Sequence, residues 1–158
     1  MAYKSSGAAA APRAFFDHLV RTETRIYNAL NDHLREHHAI VTSQFEFLDY
    51  LRRHPAARVA DLAAEFAIGV GATSKGVDRL ERQGWVARQP NPADRRSSLL
   101  VLTEEGERLV EAAGRSFDER LAELLGEALD GDQLAAGTEL LGLLRAALER
   151  TQTGVPTG

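Results

Sequence analysis

The stretch Ala60–Gly106, ADLAAEFAIGVGATSKGVDRLERQGWVARQPNPADRRSSLLVLTEEG, decides the fold. Leu62, Phe66 and Ile68 are followed by Val70, Val77 and Leu80, a spacing that suits two short helices packed at an angle. Gly69 and Gly71 bracket Val70 at the corner between them, where a tight turn needs a permissive backbone. Gly84 stops the second helix. Trp85-Val86-Ala87-Arg88 and Leu99-Leu100-Val101-Leu102 then pair as strands around the loop Gln89–Ser98, which carries Asp94, Arg95 and Arg96. Helix, corner, helix and charged hairpin in that order make a winged helix-turn-helix. One helix is sized for the major groove of DNA, and an arginine-bearing wing lies beside it.

Outward from this stretch the chain reads as helical. Pro12 to about His37 is an amphipathic helix with Phe15, Phe16, Leu19, Val20, Ile26, Tyr27, Leu30 and Leu34 on one stripe and Pro12 in its first turn. Thr42 or Ser43 is expected to cap a second helix running to about Arg53, where His54-Pro55 ends it. Arg58-Val59 is expected to add a short third strand to the wing sheet, and Asp61–Phe66 to form the first helix of the reading motif. Thr103 caps a long helix reaching about Leu129, with Glu104 and Glu105 where the helix dipole favours negative charge. Asp130-Gly131-Asp132 breaks it before a last helix to about Arg150. The expected fold is mainly α with a small β wing. A disordered tail at 1–11 precedes helices at 12–40, which with 104–150 form a dimerisation region. A winged helix-turn-helix occupies 41–103, and a second tail 151–158.

The terminal helices have apolar faces and too little winged domain to cover. They are expected to pack on the same helices of a second copy, so that two-fold symmetry sets two reading heads on one side, suited to a pseudo-palindromic site. The net charge of −4 conceals an asymmetry. From Ile68 to Arg96 six basic residues stand against three acidic ones, whereas from Thr103 to Arg150 twelve acidic stand against five basic. Screening limits surface charge to a reach of about 8–10 Å, so a distant acidic lobe leaves a local basic face free for DNA.

Several classes are excluded. The chain has no cysteine, which removes disulfides, thiolate metal sites and cysteine redox sensing. No run approaches the roughly 18 apolar residues of a membrane span, and Met1–Ala11 lacks the apolar core of a signal peptide. The expected location is cytoplasmic, on the nucleoid when bound to DNA. Gly-x-Ser-x-Gly, phosphate-loop, dinucleotide and metalloprotease motifs are absent. Gly69-x-Gly71 follows a helix and not a strand, so no enzyme and no cofactor is expected. His33 and His37 stand four apart, a spacing that can hold zinc, but no second histidine pair completes a site.

The recognition helix is expected over about Gly71–Gln83. Ala72, Thr73, Ser74 and Lys75 in its first half are short or flexible enough to reach base edges and phosphates, and Arg79 follows one turn after Lys75. A glycine inside a helix costs about 1 kcal/mol relative to alanine. The sequence leaves open whether Gly76 permits close approach to DNA, permits close approach to a neighbouring helix, or is a tolerated defect. Two rival readings remain beside a DNA regulator: a protein-interaction module that kept the winged fold, and a zinc-responsive regulator using His33 and His37.

The run from Asp94 through Arg96 to Leu102-Thr103 and Gly106 resembles the wing and following helix start of the MarR family of bacterial transcription regulators. Val77-Asp78-Arg79-Leu80-Glu81 with Gly84-Trp85-Val86 resembles the end of that family's recognition helix. By motif the resemblance covers about residues 40–110. It implies a homodimer on double-stranded DNA, a repressor relieved by a small molecule. It also implies that an arginine of the pair Arg95 and Arg96 reaches the minor groove while Asp94 helps hold the wing; which arginine inserts stays open. A ligand site, often for phenolic or other aromatic anions, is implied between the dimer helices and the winged domain. Its candidate residues are His18, Tyr27, His38, Phe45, Phe47 and Trp85.

Overall fold

A single apolar stripe keeps the first element, α1 (Ser6–His38), helical for 33 residues, and Leu30 and Leu34 near its end enter the core. The computed structural model describes residues 6–156. In them α1 is followed by α2 (Thr42–Arg53), α3 (Val59–Glu65), α4 (Val70–Arg82), β1 (Val86–Pro90), β2 (Ser98–Leu102), α5 (Glu104–Gly126) and α6 (Gly131–Arg150). Helix α1 starts upstream of the expected Pro12, which therefore sits inside it. Its ring removes the amide that would bond the Ala8 carbonyl; the alanines at 8–11, the strongest helix formers, offset part of that loss. Of the tail expected at 1–11, residues 1–5 lie outside the described residues and the rest is helical.

Helix α2 is capped at Val41, not at Thr42 or Ser43. Gln44 Oε1 accepts from the Val41 amide at 2.9 Å, and Asn31 Oδ1 of α1 accepts from the Thr42 amide at 3.1 Å. With those amides satisfied, the Thr42 side chain turns into the core, where its hydroxyl has no partner among the described residues. The core joins Leu34 of α1, Leu48 of α2, Leu62 of α3, Val77 and Leu80 of α4, Val86 and Leu100 of the hairpin and Val110 of α5. Each such side chain contributes roughly 1.5–3 kcal/mol by leaving water.

The two strands pair antiparallel from Val86 opposite Leu102 to Pro90 opposite Ser98. Arg58-Val59 does not extend the sheet. Val59 opens α3, and the Asp61 carboxylate accepts from the Arg58 amide at 2.8 Å. The third-strand contact comes one residue earlier, as a single bridge in which the Leu100 amide donates to the Ala57 carbonyl at 2.7 Å. The corner of the reading motif also differs from expectation. Gly69 is an extended N-cap and Gly71 lies inside α4; the left-handed residue is Ala67, at φ 49°.

Thr103 caps α5 as expected, its Oγ1 accepting from the Gly106 amide at 3.1 Å. The helix ends at Gly126 and not near Leu129, because Asp130 and Gln133 form a reciprocal capping box that starts α6. Helix α6 buries none of its residues; Leu134, Leu140, Leu141, Leu143, Leu144 and Leu148 are all exposed, as are Phe15, Phe16 and Val20 of α1. Past α6, Thr151–Gly154 continue as turns, and 157–158 lie outside the described residues. No described helix is long and apolar enough to cross a membrane.

Candidate nucleic-acid interface

Helix α4 is two-sided. Thr73, Val77 and Leu80, spaced by four and three, are buried. Ala72, Lys75, Arg79 and Arg82 are exposed on the other side. Thr73 is therefore withdrawn from the expected DNA contacts: it is 0% exposed, and its Oγ1 donates to the Gly69 carbonyl at 3.0 Å. Ser74 is half-buried. Gly76 resolves in favour of a neighbouring helix, since a Cβ there would stand 2.9 Å from Cε2 of Phe47 on α2. The missing side chain lets α4 lie against that ring.

At the wing tip a short network fixes the backbone. Asn91 Nδ2 donates to Ser97 Oγ at 2.9 Å, Asn91 Oδ1 accepts from the Ala93 amide at 3.0 Å, and Asp94 Oδ1 accepts from the Arg96 amide at 2.9 Å. Asp94 thus closes an Asx turn through backbone, leaving the Arg96 guanidinium unclaimed. Arg95 and Arg96 are exposed, and among the described residues neither they nor Lys75 and Arg79 make an ion pair. Arg52, Arg53 and Arg58 nearby are all paired to aspartates.

Arg88 has a role that its contribution to regional charge conceals. It follows Val86 by two on β1, so it shares the face turned toward α4, where Asp78 and Glu81 stand three apart. Its Nη1 donates to Glu81 Oε2 and its Nη2 to Asp78 Oδ1, both at 2.7 Å. The guanidinium ties wing to recognition helix and offsets one of the two carboxylate charges beside the basic face. Arg88→Ala is expected to weaken DNA binding without removing a DNA contact, and to cost about 1 kcal/mol of stability because the pair is part exposed. Lysine is expected not to rescue, since a point charge does not span two carboxylates. Urea denaturation alongside DNA titration reads both effects.

Among the described residues the six candidate ligand residues do not share one cavity. His18 is exposed on α1. Tyr27 donates to Glu46 Oε2 at 3.2 Å; burial first, then the Glu46 charge, pushes the phenol up to about 12. Burial likewise raises the Glu46 carboxyl. His38 Nε2 lies 2.7 Å from Ser116 Oγ of α5, and burial, then His37 and His33, lowers its pKa. Phe45 packs on Phe117 at 4.6 Å between centroids, and half-buried Trp85 packs against the core. Phe47 alone of the six lines a cavity of about 330 Å³ between α2 and α4, with Val41, Gln44, Ala72 and Arg79. The His33 and His37 rings lie 4.2 Å apart between centroids and are tilted by 34°, but among the described residues no three His, Asp or Glu side chains converge to hold an ion.

A profile of the MarR family matches residues 40–98. The multiple antibiotic resistance protein MarR of Escherichia coli (strain K12) is 31% identical over 102 residues, covering 65% of this chain and 71% of that protein. A mutant of E. coli MarR complexed with operator DNA superposes with a TM-score of 0.75 at 27% identity, over 89% of this chain and 99% of that one. A MarR family transcriptional regulator from Streptomyces coelicolor, in complex with DNA, shares the fold at a TM-score of 0.82 and 20% identity, over 99% of this chain and 96% of that one.

Proposed function

Because the chain belongs to the MarR family of winged helix-turn-helix transcription regulators, we propose that it is a dimeric, ligand-responsive repressor that reads a pseudo-palindromic operator in the cytoplasm. Two copies of α4 enter successive major grooves through Ala72, Ser74, Lys75 and Arg79, and two wings reach the flanking minor grooves through Arg95 or Arg96. The carrying observation is the cluster of cations without carboxylate partners on α4 and the wing, in a region where neighbouring arginines are paired. The operator complex of the E. coli relative supports the same partner. The exposed leucines of α6 and phenylalanines of α1 support the dimer, since a second copy of the same helices covers them symmetrically. The relatives are transcription regulators, and this chain is read as one without enzymatic activity. A ligand releases the operator by binding the dimer better in a head spacing that no longer fits DNA.

The test is titration of the purified protein against its own upstream DNA across a salt series. Specific binding is expected, with affinity falling by about 10³-fold or more between 50 and 200 mM salt if six or more phosphates are contacted. Absence of specific binding at low salt, or affinity indifferent to salt, replaces this reading with a protein-interaction module.

A further inference from the structure

Helix α6 buries none of its residues against its own protomer, yet near its end it reaches back across 80 residues of sequence. Arg145 Nη2 donates to Glu65 Oε1 at 3.0 Å, and Arg145 Nε to Glu149 Oε1 at 2.6 Å. Glu149, one turn further along α6, holds the guanidinium in place for Glu65. Among the described residues this is the one hydrogen bond between α6 and the winged domain. It is not backed by close packing: Leu19, Phe66, Leu141, Leu144 and Leu148 face a cleft of about 580 Å³ beside it.

Glu65 occupies a mechanically sensitive position. It is the last residue of α3; Phe66 caps that helix, Ala67 turns left-handed and Gly69 starts α4. A force applied at Glu65 acts on the corner from which the recognition helix springs.

We propose that Arg145 is a positioning residue, latching each reading head to the C-terminal arm of its own chain and so setting the spacing between the two heads of the dimer. The proposal rests on the regulator reading above. An exposed ion pair contributes little to global stability. Such a pair suffices to bias a head between orientations that differ little in free energy, and two major-groove helices must stand one DNA turn apart to bind together. The latch is thus expected to act on DNA spacing far more than on unfolding.

The absence of cysteine makes the test clean, because Gln83→Cys at the exposed end of α4 supplies one spin label per protomer. The interspin distance distribution of the full-length dimer is expected to be narrow in that background. It is expected to broaden or shift in Arg145→Ala and in Glu65→Ala, and to narrow again in the charge swap Glu65→Arg with Arg145→Glu and Glu149→Arg, which reverses all three partners. In parallel, operators with half-sites moved apart or together by one base pair are titrated. Discrimination between spacings is expected to fall at least about threefold in each single variant and to return in the swap. Unchanged distributions in both single variants, or a swap that restores nothing, overturn the latch. A dimer that binds no operator at any spacing sinks the regulator reading instead, while the distance measurement still decides the latch without DNA.

Discussion

Gly106→Ala is expected to destabilise the protein by about 3 kcal/mol, the upper part of the range for an added methyl in a packed site. A Cβ at this position would overlap the Trp85 carbonyl oxygen and stand 2.9 Å from its carbonyl carbon, so the obstacle is backbone and not a side chain that swings away. That backbone is itself held. The Trp85 carbonyl accepts from the Thr103 amide at 3.0 Å, and Thr103 Oγ1 donates to the Gly84 carbonyl at 2.6 Å. Gly84 sits at φ 80°, a conformation that leaves little room for the turn to give. Relief requires moving the start of α5 away from the base of the wing, which breaks the Thr103 cap. For a chain of this size the midpoint of thermal unfolding is expected to fall by roughly 6–12 °C. Gly76→Ala is the informative contrast. Its Cβ meets only the Phe47 ring edge, with a cavity of about 330 Å³ alongside to take the displaced ring, and alanine returns about 1 kcal/mol of helix propensity. Its midpoint is expected to stay close to wild type. Equal midpoints for the two alanine variants would mean that α5 yields freely, and the rigidity argued for this junction would be wrong.

What sequence reading recovers here is what repeats or has local chemistry. Val77 and Leu80 mark the buried side of α4, Thr103 followed by Glu104 and Glu105 marks the start of α5, and the hairpin follows from two apolar runs around a polar loop. The misses have physical causes. The start of α2 is only half local: Gln44 satisfies the Val41 amide, but the Thr42 amide is satisfied by Asn31 from another helix, which no local window contains. The corner residue is an alanine in a conformation glycine usually takes, so the glycine signal pointed two residues late. Thr73 is legible from spacing though not from residue type: its hydroxyl suggests a DNA contact, but its distance from Val77 and Leu80 along the helix puts it on the inner face. Arg88 was legible in the same way, as the neighbour two along from Val86, but regional charge summed it with arginines that point into solvent. The ligand candidates rest on aromatic and imidazole chemistry alone: His18 is exposed, whereas Phe45 and Trp85 pack with the core. Aromatic content locates no pocket without knowledge of which faces meet.

Removing either wing arginine is expected to lower operator affinity by about 10- to 100-fold, and the accompanying change in salt dependence and base preference tells what the side chain touched. Arg96 has its amide fixed by Asp94 at 2.9 Å, so its guanidinium projects from a defined backbone with no carboxylate partner among the described residues. In a dimer each substitution removes two contacts. If the arginine meets phosphate, Arg96→Ala lowers the slope of log affinity against log salt by about 2, at about 0.9 per phosphate, and weakens all sequences alike. If it enters a narrow A·T-rich minor groove, the variant also flattens the preference for A·T over G·C at the operator flanks, because that preference is read through groove width and potential. Arg95→Ala measured beside it assigns the inserted residue by which of the two flattens the flanks. Asp94→Ala separates position from charge. It removes a negative charge, which by itself would strengthen binding, yet it also frees the turn that aims Arg96. A net loss of affinity in Asp94→Ala therefore means that the aim of the wing outweighs its charge. Wild-type affinity, slope and flank preference in all three variants would place the wing off the DNA and leave α4 as the sole reader.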